Sequence, residues 1–450
     1  MAGLAVLEST IVVFGQFVAR GEIDAQMSVC SDIADYKWLT GSEAAAYLAE
    51  LAASAEPLHT SIERLRRGVS AAKAHLLLEQ VELRRRAREK FTSADRMFFT
   101  RVGLEQATDE WTARYKAARF IAERAGSCDA TAASERAGLS APAPIADMCC
   151  GIGGDLLAFS QHSSVIGVDR DPVAAHFTNE NASLFHAAGS IRIVTGRVED
   201  FESNAVGAWH IDPDRRAAGR RTTSLNTCEP SLDLIERLLA RVPHAAVKLA
   251  PATKVPPDWA DRCELEWISR DGECRQLVTW HGELARTPGL RRATILITSA
   301  ASRAVPGAGV SPRTIAGRPD QPVSVSNNLG DFIFDTDPAI RAAHLQGALA
   351  AELNLSAIAS GPSYFTGNWP IIDAAVSCFK VDEVLPLRVR GIAQHLCERG
   401  IGRLEIKKRG VETDPEKLRR DLKLRGENAA TLLITPIAGR PAAIVARRLS

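Results

Sequence analysis

Apolar residues change their spacing twice along this chain. From about Ser31 to residue 126 they recur at helical intervals: Leu65, Val69, Ala72, Leu76 and Leu77, then Val81, Leu83 and Ala87. Thr108, followed by Asp109 and Glu110, predicts the start of another helix, with Trp111, Tyr115, Phe120 and Ile121 as its stripe. The pattern predicts a helical N-terminal domain over 31–126. Small and polar residues fill 127–142 and predict a loop. Short apolar runs then alternate with helical stretches. Ile145–Met148, Val165–Asp169, Ile191–Thr195, Ala208–Asp212 and Ala245–Leu249 predict strands, and Glu264–Ser269, Gln276–His281 and Ala293–Thr298 follow them. This alternation predicts an α/β unit with a parallel, doubly wound sheet over 127–300. Residues 301–331 are rich in Ala, Pro, Gly, Ser and Arg and predict a linker. A third unit of mixed strands and helices is expected over 332–450.

The composition changes this picture little. With 450 residues, 46% hydrophobic and 24% charged, the chain is long enough for two or three domains of ordinary globular character. None of the nine cysteines falls in a CxxC pair, so no zinc spacing appears and no metal is expected. The same cysteine usage points to a reducing, cytoplasmic location. Met1 to Arg20 lack a basic start, and Glu8 interrupts their apolar stretch, so neither a signal peptide nor a membrane partner is expected. Residues 1–30 are expected to be a flexible extension.

The chemistry begins where the first strand ends. Asp147-Met148-Cys149-Cys150-Gly151-Ile152-Gly153-Gly154-Asp155 joins that strand to a short helix. Glycines let the backbone approach a bulky ligand and adopt positive φ, and the helix start offers free N–H groups. Asp147 lies where a carboxylate meets an ammonium group. The next strand ends in Asp169, at the offset where an acid hydrogen-bonds ribose hydroxyls. A dinucleotide loop needs a third glycine where this chain has Leu156, which disfavours pyrophosphate. Cys149 and Cys150 read as small packing residues of the loop.

The fourth strand runs into Asp212-Pro213-Asp214-Arg215-Arg216. In open α/β sheets ligands bind at the carboxyl ends of strands, so Asp212 and Pro213 are placed to face both a cofactor and a substrate. Arg215, Arg216, Arg220 and Arg221 form a basic run that is either a solvated face or a phosphate contact. Cys228 and Cys263 are the alternatives for a nucleophilic mechanism, and both read as buried and inert.

The Asp147–Asp155 stretch resembles motif I of class I methyltransferases, in the D-x-C-C-G-x-G-G-D form found around the trimethylguanosine synthase group. Phe98 to Thr108 and Ile406-Lys407-Lys408-Arg409-Gly410 extend the resemblance to bacterial methyltransferases with a THUMP-like C-terminal domain. The resemblance covers nearly the whole chain from about Ser31. It implies a Rossmann-like domain with a doubly wound, mostly parallel seven-stranded sheet, a helical N-terminal domain and a small α+β C-terminal domain whose THUMP-like part is 379–450. It also implies S-adenosylmethionine as cofactor. Asp147, Cys149, Gly151, Gly153, Gly154 and Asp155 would line its methionine and ribose end, and Asp169 would hold the ribose diol. Adenine would lie against Gly196 to Asp200, with Val198 or Asp200 as its contact, because Arg197 stands where many relatives have an acid. Asp212-Pro213 resembles motif IV of enzymes that methylate exocyclic amines, but without the second proline and the aromatic.

Residues 380–450 hold 16 Lys and Arg against 9 Asp and Glu. Together with the THUMP-like resemblance, this makes RNA the expected partner, with Lys407, Lys408 and Arg409 as candidate phosphate contacts. Arg84-Arg85-Arg86-Ala87-Arg88 gives the N-terminal unit a second basic run, equally readable as helix-surface charge. The expected activity is methyl transfer to RNA. The alternatives are a protein or small-molecule acceptor, or a non-catalytic RNA-binding protein that keeps the fold.

Overall fold

The computed structural model describes residues 32–54, 58–126, 143–185, 187–202, 205–214, 216–217, 220–221, 225–298, 311–326 and 328–449. The extension expected over 1–30 and the loop expected over 127–142 lie outside these. The N-terminal helices are α1 (Ile33–Leu39), α2 (Ser42–Ala53), α3 (Leu58–Leu65), α4 (Ala71–Ala87), α5 (Arg101–Gln106) and α6 (Glu110–Gly126). The apolar series from Leu65 to Ala87 is broken between α3 and α4, where Ser70 caps the new helix by accepting a bond from Lys73 N at 3.3 Å. Leu48, Leu77, Leu83 and Phe99 bury their side chains in a core shared with Ile152, Leu157 and Phe177 of the next unit. The N-terminal helices are therefore packed onto the glycine loop.

The second unit runs β1 (Ile145–Met148), α7 (Leu156–Ser160), β2 (Val165–Asp169), α8 (Pro172–Ala182), β3 (Ile191–Thr195), β4 (Ala208–Ile211), a small hairpin of β5 (Arg216–Ala217) and β6 (Arg220–Arg221), α9 (Leu232–Arg241), β7 (Ala245–Leu249), α10 (Pro257–Arg262), β8 (Glu264–Arg270), β9 (Glu273–His281), β10 (Arg291–Ile297) and β11 (Ser311–Gly317). The sheet order is β3-β2-β1-β4-β7-β9-β8-β10-β11. The first five of these strands pair in parallel, and β9 is antiparallel to both of its neighbours. The direction of winding reverses between β1 and β4, which opens a crevice at their carboxyl ends.

Two features correct the sequence expectation. The sheet has nine strands rather than seven, because β10 pairs in parallel with β8 and β11 closes the edge antiparallel to β10. Residues 311–317, expected inside a linker, are that edge strand. An edge strand has a neighbour on one side only and so tolerates Pro312, and with Ile315 its single buried apolar residue the alternation that marks a strand never appears.

The third unit contains β12 (Phe332–Thr336), α11 (Pro338–Ala342), α12 (Gln346–Leu353), β13 (Ser356–Ala357), β14 (Phe365–Gly367), β15 (Val376–Pro386), α13 (Val389–Glu398), β16 (Ile401–Lys408), α14 (Pro415–Leu422), β17 (Asn428–Ile437) and β18 (Arg440–Arg448). Its seven-stranded sheet is ordered β13-β14-β12-β15-β18-β17-β16. Phe334, Ile340, Leu345, Leu349 and Val376 are buried in the same core as Ile295 and Ile315. The two sheets thus share apolar packing through α11 and α12. Among the described residues no helix is long and apolar enough to cross a membrane.

Candidate active site

A cleft of about 500 Å3 opens at the carboxyl ends of β1, β2, β4 and β7. Its floor is the glycine loop. Gly151 and Gly153 adopt φ of 58° and 92°, a region that side chains disfavour. A Cβ on Gly151 would meet nothing within 4 Å, so the missing side chain leaves open cleft. Gly154 differs: a Cβ there would lie 2.8 Å from the Thr108 carbonyl oxygen. Its glycine lets the N-terminal segment approach the loop, while the residue itself also lines the cleft.

Gly151 N donates to Asp169 Oδ2 at 2.7 Å, and Asp171 N donates to Asp169 Oδ1 at 2.9 Å. The loop and the acid on the second strand are therefore adjacent, as a cofactor cradle requires. Burial raises the Asp169 pKa, and these two backbone bonds oppose that rise. Thr178 Oγ1 closes the turn from behind by donating to Gly151 O at 2.5 Å.

Beneath the loop lies a buried network that the sequence did not announce. Asp147 Oδ1 meets His210 Nδ1 at 2.7 Å, and His210 Nε2 is 3.2 Å from Lys116 Nζ. Lys116, wholly buried, forms an ion pair with Asp155 Oδ1 at 2.7 Å, and Thr108 Oγ1 donates to Asp155 Oδ2 at 2.7 Å. Asp155 is thus an ion-pair partner of Lys116 and also lines the cleft. Burial opposes its ionisation, but Lys116, His210 and Lys248 outweigh burial and hold its pKa below the usual range. Asp147 is 1% exposed and borders the cleft, and its Oδ2 has no hydrogen-bond partner among the described residues. Burial raises its pKa, against the pull of His210. A buried carboxylate oxygen left unmatched is expensive, so such an atom beside a cavity marks the place of a missing donor. The ammonium of S-adenosylmethionine is such a donor, and the open space over Gly151 admits its adenosyl part. The residues present fit the cofactor.

On the side expected to hold adenine, Val198 is buried, and a Cβ on Gly196 would meet nothing within 4 Å. Gly196, Arg197, Val198 and Glu199 line the cleft. Asp200 is exposed and is not part of the lining, so Glu199 is the acid that stands there. Glu199 is 3.5 Å from Arg197, which also approaches Glu229 at 3.5 Å. Cys149 borders the cleft and Cys150 is buried; burial pushes both thiols well up, so neither is a thiolate. Cys228 is buried, as is Cys263, whose thiol burial pushes up to about 12.

Asp212 and Pro213 line the cleft beyond the end of β4, and Pro213 is buried. Asp212 Oδ2 is 2.5 Å from Lys248 Nζ. Lys248, near the end of β7, is a cleft-lining cation that sequence reasoning missed. Its only signal was a lysine in the otherwise apolar Ala245–Leu249. Asp214 exchanges backbone bonds with Glu229 at 2.8 and 2.9 Å, and Arg170 ties the two carboxylates together, at 2.6 Å from Glu229 and 3.7 Å from Asp214. Arg215 lies outside the described residues, and Arg216 begins the small hairpin. No aromatic ring is among the described residues lining the cleft. Among these residues no cluster of His, Cys, Asp or Glu has the arrangement of a metal site.

The C-terminal cations are not all free for a partner. Lys407 Nζ donates to Asp335 Oδ2 at 2.9 Å and Arg409 donates to Asp335 Oδ1 at 3.0 Å, while Lys408 is exposed. The two inner cations offset the burial of Asp335 and hold its pKa below the usual range.

Comparison with known proteins agrees with this fold. Residues 376–448 match the THUMP domain-like family. The chain is 29% identical over 378 residues to an uncharacterized S-adenosylmethionine-dependent methyltransferase of Mycobacterium tuberculosis CDC 1551 / Oshkosh, covering 81% of this chain and 93% of that protein. The counterpart in strain H37Rv matches equally. A crystal structure from Porphyromonas gingivalis W83, assigned as a methyltransferase, superposes with TM-score 0.67 at 18% identity, covering 93% of this chain and 98% of that one. The fold is that of class I methyltransferases. The chain is a homologue of S-adenosylmethionine-dependent methyltransferases and carries a THUMP-like C-terminal domain.

Proposed function

We propose that the protein transfers a methyl group from S-adenosylmethionine to RNA. The observation that carries the transferase reading is the cradle itself: Gly151 bonded to Asp169, open space above it, and the unmatched Asp147 Oδ2 at its edge. The bound cofactor supplies an electrophilic sulfonium methyl. The chain's own residues bind, orient and exclude water. Asp169 accepts the ribose hydroxyls, Asp147 Oδ2 the ammonium, and the segment around Val198 flanks adenine. Asp212 accepts a hydrogen bond from the acceptor's N–H through the oxygen that Lys248 leaves available, and Pro213 stiffens that turn. Because the electrophile is strong, holding the acceptor in line is most of the catalysis.

RNA is supported by the THUMP-like domain and the basic surplus of residues 380–450. Lys408 is the best-placed phosphate contact of the Lys407–Arg409 cluster. Labelled S-adenosylmethionine incubated with total cellular RNA should give labelled nucleosides with the wild type and none with Asp212→Ala. Equal labelling by both would remove Asp212 from catalysis.

A second reading, a small-molecule or protein acceptor, is favoured by the lack of aromatic rings among the described residues lining the cleft and by its ion-paired Arg170 and Arg197. It predicts negligible retention on an RNA or heparin column at low salt, where the RNA reading predicts strong, salt-sensitive retention.

A further inference from the structure

One wall of the cleft is α5, from Arg101 to Gln106, with the residues that follow it. A helix this short does not stabilise itself, and its last carbonyls have no helical partners. Here two ammonium groups cover them. Lys90 Nζ donates to Leu104 O at 2.7 Å, Glu105 O at 3.1 Å and Ala107 O at 2.9 Å. Lys248 Nζ donates to Gln106 O at 3.2 Å. Four successive carbonyls are thus held by two cations, one from the turn after α4 and one from β7. The negative end of the helix dipole attracts both.

The arrangement is costly, which argues against accident. Burial, and after it the neighbouring Lys248, lower the Lys90 pKa to about 8. Asp109 and Glu105 raise it and Arg275 opposes them, so the carboxylates do not cancel the penalty. The held segment also fits closely against the loop. A Cβ on Gly103 would lie 2.5 Å from Ile152 Cγ2, and Thr108 reaches Asp155 at 2.7 Å.

Lys248 carries the second half of the observation. The ammonium that holds Gln106 O also holds Asp212 Oδ2. The wall beside the cofactor and the carboxylate facing the acceptor thus share one cation.

We propose that Lys90 and Lys248 are positioning residues that seat the end of α5 against the glycine loop, and that Lys248 couples this seated wall to Asp212. The inference rests on the proposed cofactor site. Its consequence is that the cofactor is retained, and Asp212 correctly turned, only while the wall is down.

The test is amide hydrogen exchange on the full-length protein, read by peptide mass, with S-adenosylhomocysteine dissociation measured on the same samples. In Lys90→Met, residues 101–108 should exchange roughly tenfold faster while α2 and α4 keep their protection, and S-adenosylhomocysteine should leave roughly tenfold faster. Lys90→Arg should restore most of both. Lys248→Met should loosen 101–108 and also 212–214. If Lys90→Met does not fold, Lys248→Met alone decides. Unchanged exchange at 101–108 overturns the proposal. So does a loss of protection spread evenly over the N-terminal helices, which marks a merely structural lysine. A wild-type protein that fails to hold S-adenosylhomocysteine would refute the cofactor reading instead, and the exchange comparison without ligand would still decide this one.

Discussion

Two buried charge networks lie in this molecule, and their difference separates structure from function. One lies between α6 and the far half of the sheet. Glu264 and Glu266, both fully buried, have every carboxylate oxygen in a hydrogen bond or an ion pair, Glu264 Oε1 through ion pairs alone. Thr287 N and Oγ1 bond one Glu264 oxygen at 2.6 and 2.8 Å, while Arg119 and Arg292 approach the other at 2.7 and 3.2 Å. Tyr115 and Thr294 bond one Glu266 oxygen at 2.6 and 2.5 Å, while Trp280 and Arg119 reach the other at 2.8 and 3.3 Å. The other network lies under the glycine loop. It is as deeply buried, yet it leaves Asp147 Oδ2 unmatched at the edge of a cavity. A saturated network holds elements together, whereas an unsaturated one beside open space is waiting for a ligand.

The sharpest way to break this contrast is Arg119→Met. It strips two buried carboxylates of a shared cation and should cost about 3–5 kcal/mol of stability, seen as a lower melting temperature. Calorimetry on the protein that remains folded should find S-adenosylmethionine affinity unchanged. A loss of affinity larger than the loss of stability would merge the two networks.

Asp147→Asn should do the reverse. Affinity for S-adenosylmethionine should fall by about 2–3 kcal/mol, the scale of a charged hydrogen bond, with no loss of melting temperature. The sign follows from burial: a carboxyl whose folded pKa is raised stabilises the fold at low pH and loses that contribution as pH rises through the folded value, so neutralising it does not destabilise the protein at neutral pH. In the wild type, cofactor affinity should weaken as pH falls through that raised pKa. A lower melting temperature for Asp147→Asn would show a structural carboxylate.

His281 sharpens the comparison from the closed side. Burial lowers its pKa to about 3, with Arg262 adding to the effect. The unfolded chain therefore binds a proton that the folded one refuses, so stability present above the unfolded value of 6.5 is lost as pH falls toward about 3. His281→Phe should flatten that acid decline in urea titrations by about 1–3 kcal/mol. An unchanged decline would assign it to the carboxylates instead.

The smallest expected effect is Gly103→Ala. Its methyl would press on Ile152 and on the Thr100 side chain that caps α5. A cost of about 1 kcal/mol is expected, with weaker cofactor binding. Full affinity in that variant would mean that the wall tolerates displacement.

What the sequence disclosed was local. The loop glycines, Asp169 and Asp212 are each placed by a strand end a few residues away, and strand ends follow from short-range pattern. Lys90, Lys116 and Lys248 were not visible as site residues, because each reaches its partners only after distant segments meet. In β8, all seven residues are buried, including Glu264, Glu266 and Arg270, and only the folded partners explain polar residues there. Asp155 and Gly154 read as cofactor ligands because they sit in the loop; both line the cleft, and their contacts with Lys116 and Thr108 of the N-terminal segment are invisible in the sequence. Lys407 and Arg409 read as a basic patch because Asp335 lies far from them in sequence.

The continuous packing from Ile295 and Ile315 through Phe334 to Leu349 has a consequence for any acceptor long enough to touch both halves of the molecule. Among the described residues the two sheets share one apolar core, and a rigid core of that kind would make the span from the basic C-terminal face to Asp212 one fixed length, as in a caliper. Selection among acceptors would then depend on how far a reactive group lies from the gripped stretch, and not only on what surrounds it.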